Sequence, residues 1–131
     1  MRGETMATIL LVDDEPLQAF LRKSALELRF DHVQRVTDAA EALCLVEQPR
    51  FAESLGLVIT GHHAAGFGGP EFVAELQDRM PALNVLVLGS NGESASDYAT
   101  SSASFLPRQA STEELVAVAG QLLEGRRRFR T

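Results

Sequence analysis

Three short apolar runs, each closed by turn-forming or acidic residues, limit most strongly what this chain can fold into. Thr8-Ile9-Leu10-Leu11-Val12 stops at Asp13-Asp14-Glu15-Pro16, Leu55-Gly56-Leu57-Val58-Ile59-Thr60 stops at Gly61, and Asn84-Val85-Leu86-Val87-Leu88 stops at Gly89. Runs this short and unbroken, instead of alternating with polar residues, belong to strands covered on both faces, as in a parallel sheet. Amphipathic stretches separate them. Pro16 suits the first turn of a helix, where its missing N–H is no loss. Leu17, Phe20, Leu21, Ser24/Ala25 and Leu28 follow at the spacing of one apolar face, which predicts that this face packs inward.

The same rhythm continues to the end of the chain. Residues 32–36 read as a short second strand. Asp38 with Glu41 three residues on is a capping pair, opening a helix with Ala42, Leu43 and Val46 inward. A helix from about Pro70 to Arg79 presents Phe72, Val73 and Leu76. Ser104-Phe105-Leu106 is a short fifth strand stopped by Pro107. Ser111-Thr112-Glu113-Glu114 is a capping box for a last helix that buries Leu115, Val118, Ala119 and Leu122. Val116 and Leu123 fall on a neighbouring strip expected to stay open for a partner. Strands alternating with helices predict an α/β, doubly wound fold with a parallel sheet. In such sheets the site lies beyond the carboxyl ends of the strands. That places Asp13-Asp14, Gly61 to His63, Gly89-Ser90 and Pro107-Arg108 together.

Composition narrows the class. The 131 residues, 45% hydrophobic and 23% charged, suit a single globular domain spanning 1–131, with its core at about 7–125 and a basic tail at 126–131. No run approaches the ~18 apolar residues of a membrane span, and no apolar segment precedes the first strand as in a secretory signal. The expected location is therefore cytoplasmic. The lone Cys44 excludes an internal disulfide framework, and inside a helix it reads as a small core residue. The net charge is −6, but four of the twelve basic residues (Arg126, Arg127, Arg128 and Arg130) close the chain. The remaining eight against all eighteen acids give residues 1–125 a charge of −10. So acidic a body disfavours nucleic acid as a partner. The arginine cluster reads as a helix end, where cations complement the dipole, or as a contact for an acidic partner.

Val12-Asp13-Asp14-Glu15-Pro16 closing a buried first strand resembles the start of a response-regulator receiver domain (CheY-like). The resemblance covers about residues 7–125 and includes the Gly66-Phe67-Gly68-Gly69 loop and the Phe105-Leu106-Pro107 strand end. It implies a flavodoxin-like (βα)5 fold with a five-stranded parallel sheet of order 2-1-3-4-5. It also implies two-component phosphorelay signalling, in which an aspartate takes a phosphoryl group from a histidine kinase while carboxylates hold Mg²⁺.

The positions that carry that chemistry are mostly changed. Gly61 stands at the phosphoacceptor position, and no Asp or Glu occurs between Leu57 and Gly69, so no shift in alignment restores an acceptor. Gly89 replaces the Thr or Ser that ends the fourth strand, with Ser90 one place on. Arg108 replaces the lysine after the fifth strand, and Gln109 the proline that follows. Phe105 keeps the switch aromatic's ring without a hydroxyl. Only Asp13 and Asp14 survive. With the third carboxylate gone, Mg²⁺ is expected to bind weakly or not at all, and no cofactor is required. The expected alternative is neutralisation of the pair by a cation, with Arg108 the leading candidate.

His63 faces the pocket by the same resemblance and keeps three readings: an ion-pair partner for the aspartates, a ligand completing a Zn²⁺ site with them, or a phosphorylatable histidine. The glycine-rich loop lacks the position and spacing of a dinucleotide fingerprint and reads as a turn. No nucleophile elbow or other catalytic constellation is present, so the chain is not expected to be an enzyme.

The expected function is that of a stand-alone pseudo-receiver acting by phosphorylation-independent contact with a histidine kinase, a phosphotransfer protein or another regulator. Two alternatives are an active phosphorelay receiver with another acceptor (Ser90, Thr60 or His63) and a metal-responsive module on Asp13, Asp14 and His63. The family's output face, formed by the helix before the fifth strand, that strand and the last helix, is a candidate homodimer surface. Its first helix is expected to be short or irregular, since residues 94–104 hold five serines and Tyr98 as the single large side chain.

Overall fold

Residues 9–12 of the first strand bury every side chain, and that double-sided burial organises the rest. The computed structural model describes residues 7–61, 69–89, 103–107 and 109–129, the last five as backbone only. Their elements run β1 (Thr8–Val12), α1 (Pro16–Glu27), β2 (His32–Val36), α2 (Ala39–Val46), α3 (Pro49–Ser54), β3 (Leu55–Gly61), α4 (Gly69–Arg79), β4 (Asn84–Leu88), β5 (Ser104–Leu106) and α5 (Thr112–Phe129). The strands form one parallel sheet of order β2-β1-β3-β4-β5.

Alternate residues feed opposite faces of the sheet, as strand geometry requires. Leu10, Val12, Val58, Val85 and Val87 meet Ala39, Ala42 and Val46 of α2 and Phe72, Val73 and Leu76 of α4. Ile9, Leu11, Leu57, Ile59, Leu86 and Leu88 meet Leu26 of α1 and Leu115 and Ala119 of α5. Both faces are thus covered, which is why the three apolar runs carry no polar alternation. The register pairs Val12 with Val36 and Thr60, Gly61 with Leu88, and Leu88 with Leu106. The carboxyl ends of all five strands are thereby brought to one edge.

The caps follow the sequence. Asp38 accepts from the Glu41 N–H at 2.8 Å. The Glu41 carboxylate in return takes the Thr37 N–H at 3.3 Å, one residue earlier than a standard box. Ser111 and Glu114 close theirs reciprocally, at 3.1 Å each way. Arg79 ties α4 to the end of α2, bonding Glu75 at 2.6 Å and Glu47 at 3.1 Å. The hydrogen bond to Glu75, and then that to Glu47, pushes its guanidinium above its ordinary pKa.

Three expectations need correction, and one helix was not expected. The inward face of α1 is Ala19 and Leu26, with Arg22 between them, and not the leucine-rich strip. Leu17 and Phe20 are each 65% exposed, Leu21 52% and Leu28 91%. The chain enters α1 from Asp13 at a rotation that turns positions 19, 22 and 26 to the sheet, and a periodicity count weighted by side-chain size selects the other strip. Cys44 is exposed, because burial of Ala42 and Val46 points position 44 outward. Val116 and Leu123 are half-buried against the second core, not open. Helix α3 has no counterpart in the sequence reading; Pro49 at its first turn nucleates six residues that bury none of their side chains completely. The expected short helix before β5 lies outside the described residues.

The orientation of α1 is testable by urea unfolding. Leu26→Ala should lose about 2–5 kcal/mol of stability, whereas Leu28→Ala should stay within about 0.5 kcal/mol of the parent. Equal losses would refute this placement.

Candidate functional site

The edge where the strands end gathers Asp13, Asp14, Gly61, Gly89 and Pro107 of the residues the sequence singled out. Asp13 follows β1 directly and is buried, and every hydrogen-bonding group it has is engaged. Its N–H donates to the Val36 carbonyl at 3.0 Å, and its carbonyl accepts from Arg35 Nε at 3.0 Å. Carboxylate Oδ1 takes the Glu15 N–H at 3.0 Å. Oδ2 takes Arg22 Nη1 at 3.0 Å and Gln18 Nε2 at 3.4 Å. The Arg22 and Asp13 side chains are 14% and 5% exposed, so this ion pair is largely withdrawn from water. Arg22 reaches the strand end because side chains on a helix lean toward its N-terminus. Glu15 caps α1 through the Gln18 N–H, and Pro16 occupies the first turn. Asp14 points outward and is exposed.

Gly61 ends β3 with no atom of the described residues within 4 Å of where a Cβ would stand. Among those residues the position has room for a side chain. Gly89 is the reverse case, since a Cβ there would overlap the Phe105 ring at Cζ. The Phe105 ring fills the room that a side chain at position 89 needs. The backbones of these segments are also tied, with the Gly89 N–H donating to the Leu106 carbonyl at 2.9 Å. Beside them a cleft of about 20 Å³ is bounded by Arg22, Leu88, Leu106, Pro107 and the first turn of α5; that is room for roughly one water.

Thr60 is fully buried, its hydroxyl donating to the Gly61 carbonyl at 3.3 Å. Burial removes it as an alternative acceptor. His63, Ser90 and Arg108 lie outside the described residues, as do residues 62–68 of the glycine-rich loop and the helix that the expected dimer face takes from before β5. Among the described residues the cation on Asp13 is Arg22, a partner not expected from the sequence. The available signal was position: Arg22 shares a helical strip with the small, buried Ala19 and with Leu26, where a charge is tolerated only if paired.

Among the described residues no three of His, Cys, Asp and Glu are grouped to hold a metal. Nor does any buried side-chain nitrogen or oxygen among them lack a hydrogen-bond partner. No helix is long and apolar enough to cross a membrane, again among the described residues.

No protein-family model matches the sequence, and no curated protein matches it. Solved structures do match over nearly the whole chain. A CheY-like response regulator receiver domain protein from Methanospirillum hungatei superposes with a TM-score of 0.82 at 16% identity, covering 94% of this chain and 98% of that one. A response regulator receiver domain protein from Clostridium thermocellum gives 0.79 at 21% identity, covering 94% and 98%. NtrX from Brucella abortus gives 0.82 at 23% identity, covering 95% of this chain but 28% of its own length. The chain therefore has the fold of response-regulator receiver domains, with the flavodoxin-like strand order expected from the sequence.

The Mg²⁺ that receivers hold between carboxylates does not fit the residues present. Mg²⁺ demands near-octahedral oxygen coordination at about 2.0–2.1 Å. Both oxygens of Asp13 are taken by protein donors, Gly61 supplies none, and among the described residues Asp14 alone is free to turn.

The Gly89–Phe105 contact predicts a coupling. Gly89→Ala should cost about 1–3 kcal/mol with Phe105 in place, and clearly less in a Phe105→Ala background, by a double-mutant unfolding cycle. Equal costs in the two backgrounds would mean that the ring is not the obstacle.

Proposed function

We propose that this chain is a pseudo-receiver: a signalling module that keeps the receiver fold and acts by protein–protein contact, with no phosphoryl group passed to its third strand. One observation carries the reading. The tip of β3 is Gly61, which has no oxygen nucleophile to attack phosphorus, and no carboxylate lies between Leu57 and Gly69 to replace it. Its partner would be a histidine kinase, a phosphotransfer protein or another regulator, which implies work in the cytoplasm. On this reading the module needs neither cofactor nor catalytic residue.

A contact-driven module needs apolar surface open to that partner, and α1 carries it. Leu17, Leu21, Ser24 and Leu28 recur at intervals of four, three and four, the spacing with which one helix meets another. Three of the four are large, exposed hydrophobics. The two alternatives are less well supported. An active phosphorelay would need Ser90 or His63, since Thr60 is buried. A metal-responsive module would need Asp13, whose carboxylate is already engaged by Arg22.

Incubation of the protein with acetyl phosphate and Mg²⁺, followed by intact-mass measurement, tests the proposal. The mass should not change. A gain of one phosphoryl group would refute the reading, and peptide mapping would then identify the acceptor.

A further inference from the structure

We infer that Arg22 is a built-in cation that occupies the place of a divalent metal against Asp13, so that the acidic pocket is closed to metal by the chain's own side chain. The inference deepens the pseudo-receiver reading but rests on a different residue. Losing the acceptor at position 61 removes one ligand, whereas Arg22 engages a ligand that remains.

Three observations support it. The first is where the charge sits. Arg22 belongs to the inward strip of α1, between Ala19 and Leu26, both fully buried. A guanidinium in that strip is costly unless a carboxylate meets it, and Asp13 does so at 3.0 Å. The second is the full occupancy of Asp13. Arg22 and Gln18 bond Oδ2, the Glu15 N–H bonds Oδ1, and Arg35 bonds the carbonyl. A metal ion would have to displace a charged donor and not merely shed water. The third is permanence. Arginine keeps its charge throughout the accessible pH range, and the carboxylate accepts it as a directional hydrogen-bond donor. A tethered cation cannot be diluted away or chelated, so Asp13 is held in one arrangement whatever the Mg²⁺ concentration.

The counter-ion is thus internal. In a metal-dependent pocket, the charge that organises the carboxylates comes and goes with solution conditions. Here it is part of the helix, delivered whenever α1 docks on the sheet.

Mn²⁺ is the probe, with binding read by its electron paramagnetic resonance signal and by calorimetry. Wild-type protein should show no saturable site, and its thermal midpoint should be the same in EDTA as in about 10 mM Mg²⁺, a concentration above that of weak protein sites. Arg22→Met should bind Mn²⁺ about tenfold more tightly or better than wild type, and Asp13→Asn in the same background should abolish the gain. Gly61→Asp guards against an Arg22→Met protein that does not fold, since none of the described residues obstructs a side chain there. With Arg22 present it should bind Mn²⁺ no better than wild type. Wild-type binding as tight as that of folded Arg22→Met, or tight binding by Gly61→Asp alone, would overturn the inference. Neither result depends on phosphorylation, so failure here and failure of the pseudo-receiver reading are separable.

Discussion

The ion pair between Asp13 and Arg22 joins the end of β1 to the first helix, and much of the site follows from it. A carboxylate withdrawn from water must find positive charge or lose its ionisation. Among the described residues, the cation that meets the Asp13 carboxylate comes from the second turn of α1. Once a guanidinium occupies the centre of the buried strip, α1 contributes little bulk to the core there, namely Ala19 and Leu26. Its larger apolar residues lie on the outer strip. Local electrostatics at the sheet edge and the apolar surface of α1 are therefore two sides of one helix orientation.

That coupling explains what could and could not be read in advance. The strands were legible because double-sided burial leaves a signature independent of detail: five or six residues, nearly all apolar, then Asp13, Gly61 or Gly89. Helices α2 and α5 were legible because caps and buried residues agreed, as with Asp38 ahead of Ala42 and Val46, and α4 from Phe72, Val73 and Leu76 alone. In α1 the two signals disagreed. Counting large hydrophobics selects Leu17, Phe20, Leu21 and Leu28, while the structure buries a smaller set that includes an arginine. A hydrophobic pattern cannot register a buried charge whose partner lies nine residues upstream in another element. Helix α3 escaped for a simpler reason: six residues that are nowhere fully buried leave no periodic pattern.

The site divides in the same way. The absence at Gly61 is a property of composition, visible in the sequence because no acidic residue stands nearby. The neutralisation of Asp13 is a property of geometry. The sequence called for a cation, with Arg108 the leading candidate; Arg108 lies outside the described residues, and among those described helix rotation supplies Arg22. Fold comparison alone would not have supplied it either, since superposition at 16–23% identity fixes strand order and not which side chain turns inward.

The two glycines at the strand tips differ in kind. At Gly61 no atom of the described residues lies within 4 Å of where a Cβ would stand. At Gly89 the space is filled, because Phe105 has its ring where a side chain would begin. Among the described residues nothing obstructs an aspartate at the first position, whereas a threonine at the second would need the ring to move. A close-packed interior resists small-to-large changes even where the larger residue is the one receivers carry. Arg22 adds a second constraint, electrostatic where Phe105 is steric. An aspartate placed at position 61 would therefore leave the carboxylate of Asp13 engaged and the strand-four position filled, because neither contact involves Gly61.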